Sequence, residues 1–277
     1  MTLFSNGGRG PARTADRRVL VRKRAILVAA SLDESGVVAL RRAQILSQVF
    51  AARLHVVHVL SSSMPPLVAD EEVVRREIVQ WAAAADVIVP GRSVHVDIGD
   101  PTAAIQRTAK LLGTELVVVG APATEDSAAT VLSLASGLAN ASALLVAYPP
   151  RTSGELVAAT DLRDAQFPVV HIAAQLADAL AARVTVVHNL ENDGPVLALA
   201  LENIAGRLQE LERLANDLDR IRGGRVSTTR TTAEAIAEVA RTRDADIAVV
   251  GVRRGHGRTL LSLLGRATCS VLAIPLP

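Results

Sequence analysis

The sequence repeats itself on the scale of a whole domain, and nothing else in it constrains the fold so tightly. The apolar run Ile26 to Ser31 returns as Leu156 to Asp161. Leu54 to His58 returns as Val184 to His188, 130 residues later. Pro101 to Ile105 returns as Thr232 to Ile236, and Leu116 to Gly120 as Ile247 to Gly251, both 131 residues later. A period this long means tandem duplication of a domain rather than a solenoid. After the fourth of these segments the spacing falls to 126, with Ala141-Ser142 aligned to Ala267-Thr268. The two halves therefore differ by about five residues in the loop and helix that follow that segment.

Within each half the local pattern alternates. Ala25 to Ala30, Leu54 to Leu60, Ser93 to Ile98, Leu116 to Gly120 and Leu144 to Ala147 are short apolar runs without helical period. Such runs suit strands buried on both faces, as in parallel sheets. Between them, Val38 to Phe50, residues 69–87 and Pro101 to Leu112 have helical spacing. Strand–helix alternation at this pace predicts βαβ units. In an open sheet of order 3-2-1-4-5, ligands sit beyond the carboxyl ends of strands one and four, where the order reverses. Gly120 and Gly251 end strand four in the two halves.

Composition bounds the function. At 277 residues and 49% hydrophobic the chain can fill two ordinary cores. Aromatics at 2% argue against a base-stacking nucleic-acid platform. One cysteine, Cys269, excludes an internal disulfide and any cysteine-rich metal site, and reads as an inert buried thiol. Charge is uneven: residues 1–24 carry seven basic groups and one acid, which leaves about −4 on the remainder. A body of that sign is a poor match to duplex phosphate, so no nucleic-acid partner is expected. Residues 1–23 read as a disordered basic tail without the apolar region of a secretory signal. An Arg-rich transit peptide is the other reading of that tail. No run approaches 18 apolar residues, so no membrane span is expected. A cytoplasmic location follows as the expectation.

Taken together, Ile26-Leu27-Val28-Ala29, Leu54 to Val59, Gly99-Asp100-Pro101 with Ile105, and Val117-Val118-Val119-Gly120 resemble the universal stress protein family. The second half repeats the set with Ala159-Thr160-Asp161, Val186-Val187-His188, Ala233-Glu234-Ala235-Ile236 and Val249-Val250-Gly251. The resemblance covers residues 24–277, as one domain over 24–150 and a second over 151–277. It implies α/β architecture: two tandem five-stranded parallel-sheet, Rossmann-like domains of strand order 3-2-1-4-5, related by a pseudo-twofold. It implies self-association through strand five, here residues 143–148 against 269–274 of the same chain. It also implies a stress-response role without a defined reaction, and ATP binding in many members.

ATP-binding members carry an Asp at the end of strand one and Gly-x2-Gly-x9-Gly-Ser/Thr after strand four. In the first half these positions hold Ser31, Ala123 and Ser133-Leu134, with Glu125 and Asp126 where phosphate needs donors. ATP is therefore expected in the second domain alone, if anywhere. There Asp161 and Gly251 match, but Arg254 replaces the second glycine. Gly255 and Gly265 imitate the later spacing, yet Gly265 lies too close to Cys269 to open the last helix. The shorter loop Gly251 to Thr259 has two readings. Gly251, Arg253, Arg254, Gly255, Gly257, Arg258 and Thr259 form an anion nest opposite Asp161, or they form a shortened turn with solvated arginines.

Other groups point to structure. His58 and His188 end strand two, Asp33-Glu34 suits a helix cap, and no Gly-x-Ser-x-Gly elbow appears. His55 and His95 lie on strands without ligand-spaced companions, so no metal site is expected. Residues 195–222 read as an amphipathic packing helix. The chain is thus expected to be a non-enzymatic regulatory protein with an unidentified protein partner. A slow nucleotide-dependent ATPase and a ligand-free scaffold are the competing readings.

Overall fold

The computed structural model describes residues 2–5, 25–61, 70–138, 142–162, 166–190, 197–229, 231–253 and 257–276. By contacts the chain divides into two units. The first-half unit comprises Arg22–Pro150, Val252–Gly257 and Ser270–Pro277; the second-half unit comprises Met1–Val21, Arg151–Gly251 and Arg258–Cys269.

In the first-half unit β2 (Ala25–Ala29), α1 (Glu34–Val49), β3 (Arg53–Leu60), α2 (Glu71–Ala84), β4 (Val94–Ile98), α3 (Pro101–Leu112), β5 (Leu116–Gly120), α4 (Glu125–Leu138) and β6 (Ala143–Ala147) follow in order. The strands lie in the order β6-β5-β2-β3-β4, all parallel. Numbered within the half, this is 5-4-1-2-3, so the reversal falls between β2 and β5 as expected. The apolar runs are strands because both faces are covered. Ile26, Leu27, Val28, Val117 and Val118 have no exposed surface. Each such side chain contributes about 1.5–3 kcal/mol on burial.

A sixth strand joins this unit from the far end of the chain. β11 (Ser270–Pro275) pairs antiparallel with β6, placing Val271 opposite Val146, Leu272 opposite Leu145 and Ala273 opposite Leu144. Ser270 is fully buried there. Its hydroxyl donates to the Tyr148 carbonyl and accepts from the Tyr148 N–H and from Arg42 Nη2 on α1. The contact units thus depart from the sequence bounds 24–150 and 151–277. The second half gives up its fifth strand and residues 252–257 because a strand completes a sheet wherever its backbone groups are paired.

The second-half unit repeats the pattern. β7 (Glu155–Ala159), α5 (Pro168–Ala179), β8 (Arg183–Asn189), α6 (Leu197–Asp217), β9 (Ile221–Ser227), α7 (Thr232–Thr242), β10 (Ile247–Val252) and α8 (Arg258–Leu264) follow in order. Strands β9-β8-β7-β10 are parallel neighbours, equivalent to 3-2-1-4. The five-residue deficit read from the sequence falls on α8, which has seven residues where α4 has fourteen.

One expectation needs correcting. Thr2–Ser5 form a strand, β1, antiparallel to β9, so residues 1–23 are not a structureless tail throughout. β9 would otherwise present an open row of backbone donors and acceptors, and an edge strand accepts an added strand readily. The rest of the expected tail lies outside the described residues.

Five helices end alike. After α1, α2, α3, α5 and α7 the chain turns through a left-handed residue: Ala51, Asp86, Gly113, Ala181 and Asp244. In each case the next N–H bonds back to a carbonyl five residues earlier, the Schellman arrangement.

Candidate functional site at the strand-order reversal

In the first-half unit the reversal lies where β2 and β5 end. The turn after β2 closes on itself. Asp33 caps α1, and its Oδ1 accepts from the Gly36 N–H at 2.9 Å and from the Ser31 and Ser35 hydroxyls at 2.8 Å each. These bonds, the Gly36 N–H foremost, hold the Asp33 carboxyl below the usual carboxylate range. Gly36 has no room for a side chain: a Cβ there would stand 1.7 Å from the Ser31 carbonyl oxygen. Across the reversal, a Cβ on Gly120 would stand 2.6 Å from Ser35 Oγ and 2.8 Å from that residue's carbonyl carbon and oxygen. Ser31, the position of the ligand-facing acid in the family pattern, is spent on the cap.

His58 and His188 do equivalent work in the two halves. Each Nδ1 donates to the carbonyl at the end of strand one, Ala30 or Thr160, at 2.8 Å. Burial lowers the pKa of His188, while its bond to Thr160 and the charge of Asp161 act the other way.

In the second-half unit Asp161 is exposed just beyond β7, close enough to His188 for its charge to be felt there. Gly251 is exposed within β10. Arg253 is half-buried and belongs to the 252–257 segment of the first-half unit. Arg258 and Thr259 are exposed at the start of α8. Gly257 has a packing role, since a Cβ there would meet Leu132 Cδ1 of α4 at 2.2 Å. Arg254 and Gly255 lie outside the described residues.

The sequence did not single out Arg207. From α6 its Nε donates to the Leu162 carbonyl at 3.0 Å, and its guanidinium carbon lies 4.8 Å from the Phe167 ring centroid. Leu162 and Phe167 are both buried and both left-handed, with φ of 59° and 45°. Among the described residues the other four with positive φ that are not glycine all follow helix ends. The loop between β7 and α5 is therefore held at both ends in a conformation that costs about 1–2 kcal/mol per residue. Nothing in the spacing of Arg207 signals this contact, which joins residues 45 apart.

Among the described residues no group of three or more His, Cys, Asp and Glu side chains is placed to hold a metal ion. Among them, too, no helix is long and apolar enough to cross a membrane.

The universal stress protein family model matches residues 23–143 and again 154–275. The chain belongs to the universal stress protein family. No curated protein matches it. A universal stress protein from Archaeoglobus fulgidus DSM 4304 is 15% identical, with a TM-score of 0.66 over 92% of this chain and 97% of its own. A functionally unknown protein from Pseudomonas aeruginosa PAO1 is 16% identical, also at 0.66, over 92% of this chain and 93% of its own. The cytoplasmic domain of a prokaryotic cation chloride cotransporter is 12% identical, at 0.51, over 91% and 95%. At these identities the likeness is one of fold. The chain is a tandem universal stress protein of two α/β domains with a mostly parallel sheet.

Proposed function

We propose that this universal stress protein acts by binding rather than by turnover, as a cytoplasmic regulator of a stress response that works through a protein partner. Its first domain takes no nucleotide in the family manner. Its second domain offers at most one weak nucleotide or anion site per chain. The closed turn after β2 carries this reading. Asp33 is held as a carboxylate by three donors and Ser35 is packed on Gly120, so that reversal carries negative charge and its Ser31, Ser35 and Gly36 donors are spent on Asp33. A triphosphate needs the opposite. In the second repeat of the sequence the acid is at Asp161, and Arg253 and Arg254 follow Gly251. Charge-assisted Arg–phosphate bonds, about 1.5–3 kcal/mol each, replace part of what a complete glycine loop would supply.

The antiparallel register of β6 and β11 supports a second element of the proposal. These are the fifth strands of the two halves, and a local twofold between equivalent strands demands antiparallel pairing. The self-association expected of separate family copies is on this reading satisfied within one chain.

Isothermal titration of the full chain with ATP tests the proposal. One weak site per chain is expected, lost in the Arg253→Ala/Arg254→Ala and Asp161→Ala variants. No ATP hydrolysis above the buffer rate is expected. Two sites per chain, or binding that survives both variants, would refute the asymmetry. Measurable turnover would refute the non-enzymatic reading, and no binding at all would favour a ligand-free scaffold.

A further inference from the structure

His55 on β3 and His95 on β4 share a hydrogen bond, Nδ1 to Nε2, at 3.1 Å. Their rings stack with centroids 5.3 Å apart and planes 29° apart. His55 is 9% exposed and His95 half-buried. A bond between two imidazoles needs an N–H on one ring and a lone pair on the other. It therefore survives with one proton too many but not with two, because both nitrogens then donate.

The surroundings oppose the second proton. Arg53 of β3 acts on His55, and Arg75 of α2 acts on His95. The Glu71 and Glu72 carboxylates of α2 are turned onto Arg75. Asp97 of β4 pairs with Arg107 of α3. Arg41 of α1 pairs with Asp86 and donates to the Ala85 carbonyl, while Arg42 reaches Ser270. Arg92, in the 3-10 turn before β4, is exposed. Among the described residues no carboxylate is hydrogen-bonded to either ring.

The pair also sits at a weak place. β4 has five residues, pairs with β3 on one side, and ends the strand order of its unit. Its residues after Val94 are at least partly exposed. β3, by contrast, is paired on both sides.

We propose that His55 and His95 form an acid-sensitive clasp, which fastens β4 to β3 near neutral pH and lets it go when both rings become charged. Burial lowers the proton affinity of both rings below the ordinary histidine value, for His55 with help from His95 and Arg53, for His95 with help from Arg75. A base whose affinity falls on folding leaves stability intact above its unfolded pKa of 6.5. That stability is lost as the pH falls from there toward the folded pKa. Acidification is thus the class of stress to which this domain responds by itself, whatever the second domain binds.

Hydrogen exchange of the full chain at about pH 7.5 and about pH 5 tests the clasp, since histidine changes charge across this interval. Rates are corrected for the intrinsic pH dependence of exchange. Amides of residues 94–98 are expected to lose at least about tenfold protection at the lower pH, while those of Leu116–Gly120 keep theirs. In a His55→Leu/His95→Phe variant the β4 protection is expected to be independent of pH. Unchanged β4 protection in the natural chain, or an equal loss in the variant, would overturn the proposal. Should the variant fail to fold, ring-proton NMR of the natural chain decides. Two linked titrations, the second accompanied by loss of β4 signals, are expected. Two independent titrations at the ordinary histidine value would overturn it.

Discussion

Gly120 and Ser35 meet backbone to backbone across the strand-order reversal of the first domain. A Cβ on Gly120 would lie 2.8 Å from both the carbonyl carbon and the carbonyl oxygen of Ser35. Backbone cannot swing aside as a side-chain tip can. Gly120→Ala is therefore expected to cost about 1–3 kcal/mol, the range for forced overpacking. Urea unfolding with an unchanged slope checks it. A loss under about 0.5 kcal/mol would mean that α1 and β5 are less closely apposed than described.

Ser270 ties the end of β6 to the start of β11. Fully buried, it exchanges hydrogen bonds with Tyr148 and accepts one from Arg42. Ser270→Ala removes three bonds at a site that water does not reach. It is expected to cost about 1.5–4.5 kcal/mol, since each net intramolecular bond contributes about 0.5–1.5. Thr268→Ala, with its side chain exposed two residues earlier, is expected to stay within about 0.5 kcal/mol. Equal effects at the two positions would argue against the β6–β11 pairing as a source of stability.

These two sites also divide what the sequence reveals from what it hides. The strand cores are legible because burial on both faces writes itself as runs such as Leu116 to Gly120. The reversal is legible because the two halves repeat it. His58 and His188 recur at one place in the repeat, and they make one and the same bond. The Asp33 cap follows from residue type alone. The partner of β11 is not written in its own apolar run, which encodes that a strand is paired and not with which; the expectation of residues 143–148 against 269–274 rests on the family resemblance alone. β1 is hidden by its setting in an Arg-rich stretch. His55 and His95 meet diagonally across two strands, a contact fixed by register rather than spacing. Arg207 reaches Leu162 only through the packing of a 21-residue helix.

Four helix ends carry a strain that single substitutions can relieve. Ala181 is exposed, left-handed at φ 53°, and follows α5, with the Ala182 N–H bonded to the Ala177 carbonyl. An L-residue pays about 1–2 kcal/mol in that region, and glycine does not. Part of the gain is cancelled by the extra freedom of glycine in the unfolded chain. Ala181→Gly is expected to raise stability by about 0.5–1 kcal/mol, and Ala51→Gly to do likewise and additively, the two lying in different units. Thermal unfolding of the single and double variants checks this. A destabilised Ala181→Gly would mean that the turn is not left-handed.

Asp33 gives the first domain a pH dependence opposite in origin to that of the histidine clasp. Its carboxylate caps α1 and gathers the Ser31 and Ser35 hydroxyls, and these bonds lower its pKa in the folded chain below the ordinary 3.8. A carboxyl with a depressed folded pKa contributes stability that is fully present above its unfolded pKa. That contribution is lost as the pH falls through the folded value. Asp33→Ala is therefore expected to cost about 1 kcal/mol near neutrality, as for other lost N-caps. The gap between variant and natural chain is expected to stay constant down to about pH 5 and to narrow below about pH 4. Asp33→Asn keeps an acceptor for the Gly36 N–H without a titrating group, so it is expected to recover most of the stability and to show no such narrowing. Urea unfolding of the three chains across this range reads both effects. A gap that begins to close near pH 6, well above the ordinary 3.8, would show that Asp33 is not the group whose titration the cap depends on.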